Sequence, residues 1–500
     1  MAKARTLVPR NGYLIGLIVI ILVGAFFRLW HLSTLPPGLS AGEAQVGLAA
    51  YNLLHHGVWP SFNLNTGGSP VLVVLESLAI GVLGLSAWVL RLVPAAIGIV
   101  AIGTTYLWVR TWFGRRAGIL AAFLMTVTPW AVTLSRNVQP ATLAVLLLTL
   151  LLWQVTCLWH HQTTKNLIQL GIVVGIAGLS GPVGWGTLLV TLVAALGVIV
   201  GHATPPKLKA ISIWTGLAAV AVLPALIVAL GSRAHGRTLI TATSLGHYLG
   251  GIGTTFLAFQ VHGDDNYLHN LGGEPLLNVF VGIMFIAGIL VSITRWKQRP
   301  ERALLLGSVA ALLPAFIAPQ TAPDAARLIL FLPLALAFAA IGIGYMLEVW
   351  YATFPINSAA RLTGQVAIML LLGLTAFQGY TQYFVAWADS SETHRAYSDT
   401  ATGMAEWVKH QAAGTQLVIV ADRDDATALR YRLITVSNYQ VVGPDQLVTA
   451  LKVRPLHLVL TTTWRDQVVT ELKAVAAGGT LQSHQSSFDE ADLYYTYDLP

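Results

Sequence analysis

The chain has 500 residues, 55% of them apolar and only 10% charged, with a mean hydropathy of +0.67. A soluble chain carries about 25% charged residues, so a set of soluble domains is excluded, and disorder, which needs low hydrophobicity and high charge, is excluded with it. The net charge of +7, from 29 Lys and Arg against 22 Asp and Glu, reads as a membrane-topology signal rather than a nucleic-acid footprint, and no nucleic-acid partner is expected.

Lys3, Arg5 and Arg10 precede an apolar run from Tyr13 to Trp30. No small-residue cleavage site follows, so the run predicts a first transmembrane helix with a cytoplasmic N-terminus rather than a cleaved signal. Further spans are predicted wherever about 17–25 apolar residues recur. They fall at 13–31, 92–110, 117–135, 140–159, 166–181, 183–201, 210–231, 276–294, 303–319, 326–347 and 363–384, eleven in all. The segment 70–86 is apolar but broken by Gly81 and Gly84, and reads as a juxtamembrane or re-entrant helix. With this list the inner loops hold 14 Lys and Arg and the outer loops 6, the direction that positive-inside topology requires. Cys157, the single cysteine, lies in an apolar segment; it has no disulfide partner and no metal-ligand spacing.

After residue 384 the charges become frequent and the apolar runs shorten. Segments 416–421, 456–461 and 493–499 read as strands, and 397–411 and 464–477 as helices with apolar positions such as Met404, Trp407 and Val408. The fold class is therefore an all-α polytopic membrane domain over 1–384, followed over 385–500 by a small α/β domain that is extracytoplasmic by the odd span count. No Gly-rich phosphate loop appears in that domain.

Two outer loops, 32–91 and 232–275, are long enough to carry function. In the first, Pro36-Pro37-Gly38 stops the first helix and a new one starts near Ser40 or Gly42, with Glu43 in its first turn. Glu43 is either a carboxylate favoured by the helix dipole or a general base, ionised yet partly desolvated beside the bilayer. Glu76, inside VLVVLESLAIG, is costly unless it lines a polar cavity. Arg91, Arg136 and Arg327 sit at span edges, where a guanidinium either snorkels to the interface or grips a phosphate. The second loop packs His262, Asp264, Asp265, His269 and Glu274 closely together. It reads as a solvated acidic turn, as a substrate or acceptor site, or as a divalent-cation site at Asp264, Asp265 and His269. Trp and Tyr near span ends read as interfacial belts.

The order Arg28-Leu29, Pro-Pro-Gly, an acidic residue, and Tyr51-Asn52-Leu53-Leu54…Gly57, followed by RLVPAAIGIVAIGTTYLWVRTWFGRRAGILAAFLMTVTPWAVTLSRN over 91–137, resembles the GT-C type membrane glycosyltransferases. More narrowly it is similar to the protein O-mannosyltransferase and aminoarabinose transferase superfamily, over about residues 13–350. The resemblance implies transfer of a sugar from a polyprenyl-phosphate carrier to a protein, lipid or glycan acceptor on the extracytoplasmic face, with inversion. It implies a first-loop carboxylate as base, basic residues on the carrier phosphate, and no required cofactor. The family's Asp-Glu pair is Gly42-Glu43 here, and its acidic residue before Pro140 is Gln139. Glu43 is thus the expected catalytic base. Arg136 and Arg327 are the expected phosphate ligands. Asp264, Asp265 and His269 are the expected sugar or acceptor ligands, with Arg91 and Glu76 in the substrate cavity. Two rival readings are a carrier-lipid-binding or assembly protein that kept the fold without the acids, and a transporter of lipid-linked glycan. The absence of an internal repeat argues against the transporter.

Overall fold

Helices take up the apolar runs, because a backbone in lipid has to satisfy its own hydrogen bonds. The computed structural model describes residues 10–60, 68–199, 245–317, 323–411, 417–443, 456–461, 479–485 and 492–499. The span expected at 210–231 and the helix expected at 464–477 lie outside these residues. By compactness the chain forms two units. The first comprises Met1–Trp30, Pro60–Leu72 and Leu92–Val385; the second comprises His31–Trp59, Val73–Arg91 and Ala386–Pro500. Two parts of the first long loop, His31–Trp59 and Val73–Arg91, thus group with the C-terminal residues, while Pro60–Leu72 stays with the first unit.

Six helices among the described residues, lying wholly or mostly in the first unit, are long and apolar enough to cross a membrane. They are Gly12–Leu29, Ala87–Phe113, Pro140–His160, Pro182–Ile199, Leu332–Thr353 and Ser358–Trp387. A bent pair, Arg115–Val127 with Pro129–Ser135, makes a seventh. The expected count of eleven is not confirmed among the described residues. Thr164–Leu179 and Val279–Thr294 have 16 residues each, about 24 Å of helix against a hydrocarbon core of about 30 Å. Arg299–Ile317 begins with Arg299, Glu301 and Arg302. Leu14, Ile18 and Leu22 of the first helix and Met369, Leu370 and Phe377 of the last are exposed, as lipid-facing side chains are.

The single span expected at 117–135 is broken by a 61° bend. Pro129 has no N–H to give and forces the residue before it out of the helical region; Thr128 is extended, at φ −67° and ψ 124°. The carbonyls freed at the break are met by Arg28, whose Nη2 donates to Met125 O at 3.0 Å and Nη1 to Thr126 O at 3.4 Å. The tenth span, expected from 326, starts at Leu332 instead. Asp324 Oδ1 accepts from Ala326 N at 2.9 Å and Arg327 N at 3.1 Å, and this side-chain turn competes with helix.

The core of this unit draws on most of its helices, with Val279–Thr294 and Leu332–Thr353 in close contact within it. Gly288 faces the Phe338 carbonyl and Gly342 faces the Met284 carbonyl, so the two backbones approach as closely as small residues allow. Phe285 stands edge-on to Phe338 at 6.1 Å and to Phe331 at 5.9 Å.

In the second unit a five-stranded sheet has the order β2-β1-β3-β5-β4. The strands are β1 (Leu417–Val420), β2 (Tyr439–Val442), β3 (Leu456–Thr461), β4 (Thr480–Gln485) and β5 (Asp492–Leu499). β1 pairs in parallel with β2 and β3, and β5 runs antiparallel to β3 and β4. Helix Asp399–Lys409 buries Met404 and Val408. The helix Arg423–Arg432 was not anticipated, although its signals are local. Asp422 caps it, Asp424 and Asp425 sit in its first turn, and Arg430 and Arg432 in its last.

Burial first, and Asp422 next, push the Asp425 carboxyl up to about 6, with Ser398 opposing. Between about pH 4 and 6 the folded form holds a proton that the unfolded chain has released. The stabilisation is therefore full below the ordinary carboxylate range and is lost as pH rises towards 6. Asp425→Asn is expected to stabilise the second unit by about 1–3 kcal/mol at pH 7 and hardly at all at pH 4. Amide exchange of β1 and of Arg423–Arg432 at both pH values measures this. Equal gains at both would contradict it.

Candidate functional site

Each unit holds a polar centre. In the first unit it is built by the loop after the helix Leu245–Leu257. Leu276 N bonds back to Ala258 O at 3.0 Å, Gly263 N to Gly273 O at 2.9 Å, and Gly273 N to Asp264 O at 3.0 Å. Gly273 adopts φ +74°, and a Cβ at Gly263 would strike the Glu274 carbonyl; these two positions need glycine. Asn270 Nδ2 ties Asp264 O at 3.1 Å to Glu274 O at 2.7 Å. The loop is thus a rigid cradle.

Asp264 is buried at its centre. Its Oδ1 accepts from Asn266 N at 2.8 Å; its Oδ2 accepts from Ala325 N at 2.8 Å and from His269 Nδ1 at 3.1 Å. With Nδ1–H donating to the carboxylate, His269 Nε2 is the acceptor, and the Gln139 amide nitrogen reaches it at 3.2 Å. This is the orientation that a carboxylate imposes on a histidine base. Asp324 Oδ1 lies 3.7 Å from His269 Nδ1, and Arg327 Nε is 3.1 Å from Asp324 Oδ2.

Ligand atoms of Asp264, His269 and Asp324 lie within 4.8 Å of one another. Two carboxylates and an imidazole suit a divalent cation with oxygen and nitrogen preference. Asp265, expected in this group, turns out to solvent and pairs with the equally exposed His262 at 3.1 Å. Asp324 occupies the third place instead. The stretch Pro323-Asp324-Ala325-Ala326-Arg327 carries a side-chain turn signal that could have marked it.

Arg136, expected at the carrier phosphate, is fully buried. Its Nη1 donates to Phe27 O at 3.0 Å, Nη2 to Trp30 O at 2.7 Å and Nε to Tyr383 Oη at 2.9 Å. The guanidinium also stacks over Tyr383 and Phe384. It fastens the end of the first helix to the last one. Arg327 lies in the turn before Leu332 with its side chain 41% exposed.

In the second unit Ser40 and Glu43 form a capping box at the start of Ala41–His56. Glu43 Oε2 accepts from Ser40 N at 3.1 Å and from Arg91 Nη2 at 2.9 Å, and Oε1 accepts from Arg91 Nε at 3.0 Å. Arg91 also donates to Pro36 O at 2.6 Å and Gly38 O at 2.9 Å. Both side chains are out of solvent. Leu39 N bonds to Tyr397 O at 2.6 Å, and Gly38, at φ +62°, has no room for a Cβ against that carbonyl. The Arg91 guanidinium lies over the Tyr397 ring, 5.6 Å from its centroid.

Glu76 is wholly buried, and among the described residues neither of its oxygens has a hydrogen-bond partner. The Tyr431 hydroxyl is in the same condition. Burial, and after it the Glu76 carboxylate, push the Tyr431 phenol up, so it stays a neutral donor. The Tyr431 ring packs on Gly47. The structure therefore brings Glu43 and Arg91 together in one unit and Asp264 and His269 together in the other.

A protein-family profile described as dolichyl-phosphate-mannose-protein mannosyltransferase matches residues 68–239. The putative mannosyltransferase YkcB of Bacillus subtilis is 25% identical over 142 residues, 28% of this chain and 20% of that protein. The chain thus spans about one fifth of that relative's length. Among solved structures, apo ArnT from Cupriavidus metallidurans has a TM-score of 0.59 at 15% identity, over 98% of both chains. ArnT bound to undecaprenyl phosphate has a TM-score of 0.56 over the same shares. The apo oligosaccharyltransferase of Archaeoglobus fulgidus has a TM-score of 0.58 at 16% identity, over 97% of this chain and 74% of that one. At these identities the likeness is one of fold.

Proposed function

We propose that this chain, which has the GT-C fold of the membrane glycosyltransferases, transfers a sugar from a polyprenyl-phosphate carrier to a hydroxyl-bearing acceptor on the extracytoplasmic face, with inversion. The observation that carries this reading is the Asp264–His269 pair with its Gln139 contact, held in a rigid loop. A solved relative by fold holds undecaprenyl phosphate, and another, an archaeal oligosaccharyltransferase, holds dolichol phosphate and an inhibitory peptide; both support a lipid-phosphate donor.

In this proposal the acceptor hydroxyl displaces the Gln139 amide from His269 Nε2, which then takes the acceptor proton, and Asp264 stabilises the imidazolium that results. Arg327 meets the carrier phosphate, which leaves with the electron pair of the broken glycosidic bond. A divalent cation on Asp264, His269 and Asp324 is the alternative use of the cluster: it would take the His269 Nδ1 lone pair in place of the proton shared with Asp264, and so replaces the base role rather than adding to it. Glu43, the base expected from sequence, has both oxygens engaged by Arg91 and Ser40. Its proposed part is to anchor the first-loop helix. The extracytoplasmic placing of the C-terminal residues belongs to the same proposal and follows from the Lys and Arg distribution.

The test is transfer from labelled polyprenyl-phosphate sugars in membranes that contain the full chain. His269→Asn is expected to lower the turnover about 100-fold or more, the usual worth of a general base, with donor binding retained. Glu43→Gln on a folded protein is expected to keep most of it. Loss of transfer in folded Glu43→Gln with His269→Asn active would return the base to Glu43. A carrier-binding role without catalysis is the second reading, favoured by the engaged state of Glu43. Donor binding with no transfer to any acceptor would select it.

A further inference from the structure

At one end of the first unit the helices Ala87–Phe113, Pro140–His160 and Pro182–Ile199 finish and Arg299–Ile317 begins. They leave a cavity of about 150 Å³ between them. Its walls include Trp112, Trp159, Val155 and Val198, and its mouth carries His160 and Arg299. Trp112 Nε1 donates to Thr156 Oγ1, which fixes one wall. Arg302 Nε donates to Gly197 O at 2.6 Å and fixes the opposite one. Among the described residues, the side chains of Arg299 and His160 make no hydrogen bond or ion pair, although both are polar and lie against an apolar recess.

The physical chemistry of this recess is amphiphilic. An apolar recess of about this volume holds roughly six carbons of an apolar guest, which is a length of acyl chain and not a whole lipid. The tryptophans are interfacial side chains with an apolar body and a donor edge. A guanidinium at the mouth, at the positive start of a helix, favours an anion. The same end of the unit carries Arg110, Arg115, Arg116, Arg295, Lys297 and Arg302. Lys and Arg gathered at one membrane face sit beside the leaflet that presents anionic headgroups.

We propose that this cavity binds one anionic glycerophospholipid of the surrounding bilayer, with part of an acyl chain between Trp112 and Trp159 and the phosphate at Arg299 and His160. The proposal is independent of the transfer chemistry above. It makes the site a lipid clamp for four helix ends, at a place that none of the proposed catalytic residues occupies.

The test is native mass spectrometry of the purified, delipidated full chain, titrated with phosphatidylglycerol or with phosphatidylcholine of the same acyl chains. The parent is expected to retain one phosphatidylglycerol with about tenfold preference. Arg299→Gln is expected to lose about tenfold in phosphatidylglycerol retention and to lose the preference. Val198→Phe, which fills the recess without changing charge, is expected to lose both lipids. Arg295→Gln removes an equal charge outside the lining and is expected to bind as the parent does. Unchanged retention in both Arg299→Gln and Val198→Phe would overturn the site. Equal binding of the two lipids by the parent would overturn the headgroup assignment. Displacement of phosphatidylglycerol by equimolar undecaprenyl phosphate would reassign the cavity to the carrier.

Discussion

Arg91→Met is expected to destabilise the second unit by about 3–5 kcal/mol, because it leaves the Glu43 carboxylate buried without its cation. Glu43 and Arg91 are 0% and 1% exposed at their side chains, so water cannot replace the lost bonds. The carbonyls of Pro36 and Gly38 lose their donor as well. The double substitution Glu43→Gln with Arg91→Met removes both charges and is expected to recover most of the loss. Amide exchange over 36–56, with denaturant melts of the full chain, measures both. If the single substitution melts with the parent, the ion pair does not hold the first-loop helix. This experiment also separates scaffold from catalysis, since a Glu43 that serves only as an anchor tolerates joint replacement with Arg91.

The second large effect lies in the membrane core. Gly288→Val is expected to cost more than about 3 kcal/mol, at the upper end of overpacking effects. A Cβ at 288 would overlap the Phe338 carbonyl of the facing helix, and main chain cannot move aside as a side-chain tip can. Gly342 repeats the contact from the other side, against Met284. Separating the two helices would also open the Phe285–Phe338 contact. Gly344→Ala is the control: nothing lies within 4 Å of a Cβ there, and the change is expected to be neutral or to stabilise by about 1 kcal/mol. Thermal unfolding in detergent distinguishes them, and equal melting of the two variants would contradict the close-approach account.

Legibility differed from residue to residue. The helix start near Ser40 was readable from sequence, and the capping box that Ser40 and Glu43 form there is a local pattern. The spans were readable from hydropathy, and their limits were lost where a local rule was overridden. Thr128-Pro129 bent one helix, and the Asp324 turn delayed another by six residues. The candidate site was half legible. Asp264 and His269 lie five residues apart and were named from sequence, while Asp324 joins them from sixty residues downstream of Asp264.

The sequence by itself determined a largely apolar chain, the places where it forms helices, the change of composition at residue 385, and the charged residues that require an explanation. Hydropathy and charge are sums over neighbouring residues, so they need no tertiary contact. Only the tertiary structure decided what each buried charge does. Arg136 and Arg327 look alike in sequence, yet one is buried on Phe27, Trp30 and Tyr383 and the other is partly exposed and paired with Asp324. Glu43 reads from sequence as a dipole-favoured carboxylate or a base, and its two oxygens accept from Arg91, 48 residues away. A charge in a low-dielectric interior takes its role from its nearest few ångströms, and chain order does not specify those neighbours.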